Sequence, residues 1–435
     1  SVEPSRYDAG TCYVAGTKYK TGDFAPYLYK TTDYGKSWKK ITNGIANEHF
    51  TRVVREDPTQ KGLLYAGTET GLYISFNDGA NWQPFQLNLP IVPITDLALK
   101  DGNLIVATQG RSLWIIDDLS VIHQLANAKN NNNFLFKPKD TYRMGGGSRS
   151  GSLTEGTNHP SGVMTYFNLK NISEATDKSA DKKVSLSYLN MQNDTIKKFS
   201  TKANKENNID KLEVKEGANY HTWNMRGKDA ERLKGMILWW ASTSAPQAVP
   251  GSYKVVLEIE DQPVQTQTFQ IVADKNAETD AAGMQKQFDF VTDVNETVDK
   301  AHKSIKKIRN INDQLTAFKS QYKDNDAVKD LVGKADTLSE QFLDIEKALY
   351  QTQNKSGQDP LNFPIRLTNK LAHLNSLVSM DDFPPTTQDI AVKNELTSQI
   401  NEELLKFEQL VSEEIKMFNM AFNSKQLNYL FIEEN

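Results

Sequence analysis

Short apolar runs recur along the first part of the chain, separated by turns rich in glycine, asparagine, aspartate and threonine. Residues 10–15, 62–67 and 102–107 each combine tyrosine, valine, leucine or isoleucine with small residues, and a second apolar run follows each of them. Runs of this length between turn formers predict β-strands. The three copies therefore predict a series of small antiparallel sheets, each built as a four-stranded meander.

Two polar loops follow the strands of the first and second copies. They read TTDYGKSW at residues 31–38 and SFNDGANW at residues 75–82, and their tryptophans are one four-stranded unit apart. The aspartate or asparagine can accept hydrogen bonds from its own turn, glycine can supply a positive φ, and tryptophan is expected to pack between sheets. The predicted turn residues are Thr31, Asp33, Gly35, Ser37 and Trp38 in the first loop, and Ser75, Asn77, Gly79 and Trp82 in the second.

These loops resemble the Asp-box, or BNR, repeat of sialidases, xyloglucanase-type glycosidases and sortilin-like propellers. The first loop fits the pattern Ser/Thr-x-Asp-x-Gly-x-Ser/Thr-Trp at every position, and the second departs from it at Asn77 and Asn81. In that family the box is a structural device at the outer edge of the blades. The resemblance therefore implies that residues 1–126 are terminal blades of an Asp-box β-propeller, and that the box residues have no catalytic role.

A wider stretch is similar to one group of propeller proteins. Residues 50–58, 62–69, 89–97 and 107–118 resemble the end of the propeller region in large bacterial sortilin-like proteins, often labelled glycosyl hydrolases. Such proteins typically carry a signal peptide, one or two propellers, an Ig-like module and a helical tail. The resemblance implies the C-terminal portion of an exported protein, which is periplasmic, outer-membrane-associated or extracellular. The signal peptide would then lie outside this sequence, and a cytosolic protein is the alternative.

The number of predicted blades is too small to close a propeller. Known propellers have at least about four blades, whereas this region offers two or three. Open blades would leave apolar sheet faces unburied. We expect the missing blades to lie N-terminal to Ser1, in the same gene product or in a companion chain. A small open sheet capped by the next domain is the alternative.

The middle of the chain changes from blades to a different β pattern. Residues 127–160 are predicted to be a linker or loop, because they contain an asparagine run and the glycines of 145–147. Residues 161–275 predict an Ig-like β-sandwich, and residues 220–227 and 249–255 resemble the Trp-Asp-Gly…Pro-Gly-x-Tyr pattern of bacterial Ig-like modules. For Trp223, Trp239 and Trp240, core packing is favoured over a carbohydrate-binding platform.

Apolar residues at spacings of three and four dominate residues 276–435. Breaks rich in asparagine, aspartate and proline near residues 324, 354–360 and 381–385 divide the pattern into four segments. We predict an antiparallel helical bundle, because the segments are too short and too well punctuated for a long coiled-coil dimer. Asn312 falls at a core-facing position, where it could set the register or contact a neighbouring backbone.

Composition narrows the function classes. The net charge of −4 gives no reason to expect nucleic acid as a partner, and no apolar run approaches the length of a membrane span. The single cysteine excludes an internal disulfide, and the six histidines form no metal motif. No cofactor is expected.

Glu69 and Arg111 are the candidate binding residues. They lie in tight turns that the sequence places at equivalent positions of successive units, where they could face the axial channel; a salt bridge or turn contact is the alternative. No acid near the blade loops matches a known catalytic carboxylate. We therefore favour a non-catalytic binding or scaffold role toward a protein, peptide or glycan. The alternative is a glycoside hydrolase whose carboxylates lie mainly in the missing blades, and a third possibility is that the later domains only support folding or export.

Overall fold

The computed structural model describes residues 1–128, 133–144, 158–172, 182–204, 207–425 and 427. The glycine run 145–147 lies outside the described residues. The chain combines several β-sheets with helices that follow them toward the C-terminus.

Three antiparallel sheets form the first part of the chain, in agreement with the predicted meanders. The first contains β1 (Val2–Pro4), β2 (Cys12–Lys18), β3 (Asp23–Thr31) and β4 (Lys39–Lys40). The second contains β5 (Thr51–Glu56), β6 (Leu64–Thr68), β7 (Gly71–Ser75) and β8 (Gln83–Pro84). The third contains only β9 (Ile94–Lys100), β10 (Asn103–Thr108) and β11 (Leu113–Ile116), and an unpredicted helix, α1 (Ser120–Ala128), follows it.

The second sheet is covered on both faces. Every residue of β6 and β7 is buried, so these strands lack the alternation of apolar and polar residues typical of a half-exposed strand. One face of the second sheet packs on the first sheet, and the other face packs on the third. The first contact is made by Val54, Leu64, Ala66 and Tyr73 with Tyr13, Ala15 and Leu28; the second is made by Val53, Tyr65, Leu72 and Ile74 with Ile94, Leu97, Leu104 and Val106.

Both predicted box loops form the same hydrogen-bonded turn. In the first, the Thr31 hydroxyl accepts from the backbone N–H of Gly35 at 2.9 Å, and the Asp33 carboxylate accepts from the backbone of Ser37 at 2.9 Å. In the second, the Ser75 hydroxyl and the Asn77 side chain accept the two corresponding bonds at 2.9 Å. Gly35 and Gly79 both have positive φ, at 83° and 78°, as the turn requires.

The two box tryptophans differ in burial. Trp82 is 5% exposed, and its indole N–H donates to the carbonyl of Ile41 at 2.8 Å, at the end of the first sheet. Gly44 makes this approach possible, because a Cβ there would lie 2.1 Å from the Trp82 carbonyl oxygen. Trp38 was expected to pack between sheets in the same way, but it is 46% exposed and bonds only within its own loop, to Gly35 at 3.1 Å. The reason is that no sheet described here lies on its side of the first sheet.

Two further sheets share one apolar core in the middle of the chain. The smaller has the order β12 (Phe134–Leu135), β14 (Val163–Leu169), β18 (Gly217–Trp223). The larger has the order β13 (Thr141–Arg143), β20 (Gln265–Ala273), β19 (Gly251–Ile259), β15 (Val184–Leu189), β16 (Thr195–Ser200), β17 (Ile209–Lys211). The range 127–160, expected to be a linker, therefore contributes a strand to each sheet. Trp223 is fully buried and stacks on Tyr188 with ring centroids 4.5 Å apart.

The C-terminal region is helical and breaks where the sequence predicts. Its helices are α2 (Ala281–Tyr322), α3 (Lys329–Leu349), α4 (Leu367–Val378), α5 (Thr387–Gln409) and α6 (Lys416–Ser424), with a π-helical turn at Leu410–Ile415 between the last two. The apolar positions of α2 face the common core of these helices. Asn312 is partly buried, and both polar atoms of its side chain lack a protein partner in the described part of the chain.

Residues 228–246 form no helix or strand and lie against α2 and α4. Side chains of the helices supply hydrogen bonds that secondary structure would otherwise provide. Asn369 both accepts from the backbone N–H of Trp239 at 2.8 Å and donates to its carbonyl at 2.9 Å. Asn375 donates to the carbonyls of Ser242 and Ser244 at 3.2 and 3.0 Å. We call this arrangement the amide clamp; it consists of Asn295, Asn369 and Asn375 holding residues 239–244.

Two histidines extend the amide clamp along the same segment. The Nδ1–H of His302 donates to the carbonyl of Glu231 at 2.5 Å, and that of His373 donates to the carbonyl of Trp240 at 2.6 Å. Burial lowers the pKa of His302 and favours its neutral form. The clamp thus ties the chain between β18 and β19 to the helices that follow the sheets.

Replacement of Asn375 by alanine tests the clamp. Asn375 is 1% exposed, so Asn375→Ala leaves the Ser242 and Ser244 carbonyls without this donor in a buried place. We expect the free energy of unfolding, measured by urea denaturation, to fall by about 2–4 kcal/mol. Asn394→Ala, at an exposed position of α5, is the control and should change stability by less than about 0.5 kcal/mol. Equal stability of the two variants would contradict the clamp.

Candidate ligand-binding surface

The turns between the second and third strands of the first two sheets lie beside the start of β5. The backbone N–H of Glu69, in the β6–β7 turn, donates to the carbonyl of Phe50 at 3.0 Å. The ring of Tyr19, in the β2–β3 turn, stacks on the ring of Phe50 with centroids 5.0 Å apart and planes at 17°. Glu69 and Tyr19 therefore meet at one edge of the two sheets.

Arg52 joins these turns through its guanidinium group. It forms an ion pair with Glu69, with a distance of 2.6 Å between Arg52 Nε and Glu69 Oε2. The same guanidinium lies 5.3 Å from the ring centroid of Phe50 and 5.8 Å from that of Tyr19, within cation–π distance of both. We call Tyr19, Phe24, Phe50, Arg52 and Glu69 the edge cluster.

The outer rim of the edge cluster is aromatic and accessible. Phe24 is 51% exposed and Tyr19 is 37% exposed, whereas Phe50 beneath them is buried. The Phe24 and Phe50 ring centroids are 6.2 Å apart. An exposed aromatic rim with a charged pair beside it can contact apolar groups and hydrogen-bond polar ones in the same ligand.

Arg111 does not belong to the edge cluster. Among the described residues no hydrogen bond or ion pair joins it to Glu69, and its guanidinium donates to the neighbouring Gly110 carbonyl at 3.0 Å. Hydrogen bonding also shows that Glu69 corresponds to Gln109, whose N–H donates to the carbonyl of Pro93 as that of Glu69 does to Phe50. The β10–β11 turn is one residue longer than the β6–β7 turn, so Arg111 has no counterpart in the second sheet.

Carboxylates near the sheet loops are engaged in local structure. Asp96 pairs with Arg55 at 2.7 Å, and Asp118 accepts from the backbone N–H of Ser120 at the start of α1. Asp117, Asp118 and Asp140 line a cleft of about 420 Å³ after the third sheet, but the Asp140 carboxylate accepts from the backbone N–H of Gln270 at 3.0 Å.

Asp57 has the most buried side chain of these acids. Its side chain is fully buried and accepts from His123 Nε2 at 2.9 Å and from the backbone and hydroxyl of Thr59, each at 2.8 Å. Burial alone would raise the pKa of Asp57, but these hydrogen bonds outweigh it and lower the pKa to about 2. Asp57 therefore links α1 to the second sheet as a carboxylate that stays ionised at neutral pH.

Metal and membrane sites are not found in the described ranges. No three histidine, cysteine, aspartate or glutamate side chains there come together as metal ligands. No helix of the same residues is both long and apolar enough to cross a bilayer.

Glu69 is the one residue of the edge cluster that the sequence singled out. Tyr19, Phe24, Phe50 and Arg52 carry no motif, and they are brought together by the stacking of two sheets. The one available signal was positional, since Phe50 and Arg52 flank the start of a predicted strand directly upstream of Glu69.

The pH dependence of stability tests the role of Asp57. Because its pKa is depressed in the folded state, its stabilising contribution is complete above about pH 4 and is lost as the pH falls toward 2. We expect Asp57→Asn to lower the free energy of unfolding at pH 7 by about 2 kcal/mol, and the difference from the parent protein to shrink between pH 4 and pH 2. Asp96→Asn, on an exposed carboxylate, should show a much smaller pH-dependent difference. A constant difference across this range would exclude the anionic anchor.

Comparison with known proteins gives distant structural similarities. The chain aligns with a GH74 xyloglucanase from Xanthomonas campestris at 15% identity and a TM-score of 0.20, over 38% of this chain and 26% of that one. It aligns with YCF48 bound to D1 peptide at 13% identity and a TM-score of 0.19, over 61% of this chain and 65% of that one. It aligns with an ancestral GH74 enzyme at 12% identity and a TM-score of 0.22, over 61% of this chain and 41% of that one. The chain thus spans about a quarter of the xyloglucanase. No protein-family model matches the sequence, and no curated protein matches it at a significant level.

Proposed function

We propose that this chain is the non-catalytic binding part of an exported, sortilin-like β-propeller protein of bacteria. The three N-terminal sheets would be consecutive Asp-box blades, the two middle sheets an Ig-like module, and the helices a bundle packed on it. Support comes from the matching box turns and from the second sheet, which is covered on both faces as an internal blade must be.

The edge cluster is the proposed contact surface for a protein, peptide or glycan. The observation that carries this proposal is the accessible Phe24–Tyr19 rim held against the Arg52–Glu69 ion pair. Arg52 is bound by Glu69 and by two rings, so the cluster is already ordered before a ligand arrives. A preformed surface loses less side-chain entropy on binding than a flexible one does.

Further blades are the proposed partners of the uncovered sheet faces. On the third sheet Leu113 and Ile115 are 70% and 54% exposed, although they alternate along β11 with partly buried residues. On the first sheet Trp38 is exposed where the equivalent Trp82 is buried against a neighbouring sheet. Blades of the same kind, in the same gene product or a companion chain, would cover both faces.

A glycoside hydrolase is the second candidate function. It is favoured only by the Asp-box resemblance, and its catalytic carboxylates would have to lie mainly in the further blades. Hydrolysis of a polysaccharide by the full-length product, abolished by substitution of one carboxylate, would establish this alternative.

Substitution of the rim tests the proposed contact surface. Ligands are first selected with a random-peptide phage library and a panel of soluble polysaccharides. Phe24→Ala should weaken binding of the selected ligand by about tenfold, because a stacked aromatic contributes about 1–1.5 kcal/mol. Glu69→Gln, which breaks the ion pair, should weaken binding less. Val264→Ala, at an exposed position of the middle sheets, is the control. Unchanged affinity in Phe24→Ala would contradict this surface.

Charged substitutions on β11 test the proposed blade partner. Because Leu113 and Ile115 are exposed here, Leu113→Asp with Ile115→Asp should change the free energy of unfolding of this chain by less than about 0.5 kcal/mol per site. The same pair should prevent association with a companion chain, or destabilise a longer product by several kcal/mol, because it would bury two charges. Intact assembly of the doubly substituted protein would show that no blade covers this face.

A further inference from the structure

Trp240 is presented to solvent by a strained backbone. Its φ is +53°, in the left-handed region, where a bulky residue is rare and strained. Its side chain is 73% exposed, in contrast to the fully buried Trp223. Core packing was the expected fate of Trp240, and its exposure corrects that expectation.

Hydrogen bonds on both sides hold Trp240 in this conformation. Asn369 binds the N–H and the carbonyl of Trp239, His373 binds the carbonyl of Trp240, and the N–H of Ser242 donates to the carbonyl of Ala372 at 3.0 Å. The rings of Trp239 and Trp240 meet edge to face, with centroids 6.4 Å apart and planes at 73°. The backbone that carries the exposed indole is therefore held on both sides of Trp240.

Cationic residues accompany the helix that binds the Trp240 carbonyl. Lys370 precedes His373 by three residues, a spacing that places both on one side of α4, and Arg366 is the residue immediately before the helix. Arg366 and Lys370 are exposed and form no ion pair with any described residue, and α4 contains no acidic residue. The Nδ1–H of His373 is used by the Trp240 carbonyl, so its Nε2 can act as a hydrogen-bond acceptor.

We propose that Trp240, His373, Lys370 and Arg366 form a binding site for an acidic polysaccharide. The apolar face of a sugar ring stacks on the indole, a ring hydroxyl donates to His373 Nε2, and carboxylate or sulfate groups contact the two cations. A neutral glycan would leave Lys370 and Arg366 unused. A protein partner would require a wider apolar area than a single exposed indole provides. This site is independent of the edge cluster and of the proposed propeller.

Affinity electrophoresis and fluorescence titration of the full chain test this site. Polygalacturonate and chondroitin sulfate should retard its migration and change its tryptophan fluorescence, whereas dextran and amylopectin should not. Trp240→Ala should raise the Kd for polygalacturonate by about tenfold or more, and Trp240→Phe by less. Lys370→Ala and Arg366→Ala should weaken binding and reduce its dependence on salt. Leu405→Ala, an exposed apolar position of α5, is the control.

Trp240→Gly separates binding from folding. Glycine adopts a left-handed backbone without strain, so this variant should keep or raise the Tm while losing polygalacturonate binding. The proposal is overturned if no acidic polysaccharide is bound, if neutral polysaccharides are bound equally well, or if Trp240→Gly binds like the parent protein. Phe24→Ala should leave this binding unchanged, so failure of the edge cluster and failure of this site are distinguishable.

Discussion

Side-chain hydrogen bonds to the irregular segment 228–246 hold the middle sheets and the helices together. A buried backbone without secondary structure needs partners for its N–H and C=O groups, and leaving them unpaired costs about 1–3 kcal/mol each. Asn295, Asn369 and Asn375 provide those partners from α2 and α4. The backbone conformation of Trp240 is held by this clamp together with His373.

The N-terminal sheets follow a different principle, the stacking of apolar faces. The second sheet is the only one of the three with a described neighbour on each side, and its central strands are buried throughout. Stacking also creates the edge cluster, because it brings the turn of the first sheet beside the first strand of the second. The cluster therefore belongs to the contact between two sheets, and a single isolated sheet would not contain it.

Local patterns in the sequence predicted local structure well. The box loops contain their own hydrogen-bond partners within a few residues, so the roles of Asp33 and Gly35 could be inferred without knowledge of the fold. Helix boundaries near residues 324 and 381–385 were also predicted, because turn formers and prolines stop helices wherever the rest of the chain lies. The Ig-like classification of the middle sheets stays a prediction.

Features that depend on distant residues could not be predicted in this way. The exposure of Trp38 depends on a neighbouring sheet, and the pairing of Glu69 with Arg52 depends on how β5 and β6 align. The clamp contacts made from α4 join residues 130 or more positions apart, as for Trp239 and Asn369. No local pattern in the sequence marks an asparagine of α4 as a residue that binds a remote backbone.

The amide clamp also has a consequence for the order of events during synthesis. Residues 239–244 leave the ribosome long before Asn369 and Asn375 do, and the middle sheets can form their core in that interval. Until α4 is made, the segment between β18 and β19 lacks the partners that Asn369, His373 and Asn375 supply, although Asn295 and His302 of α2 are already available. The last folding step of this region would thus be the docking of α4 on the segment between β18 and β19, after the middle sheets have formed. Closing a loop of this length is slow compared with forming the helix itself.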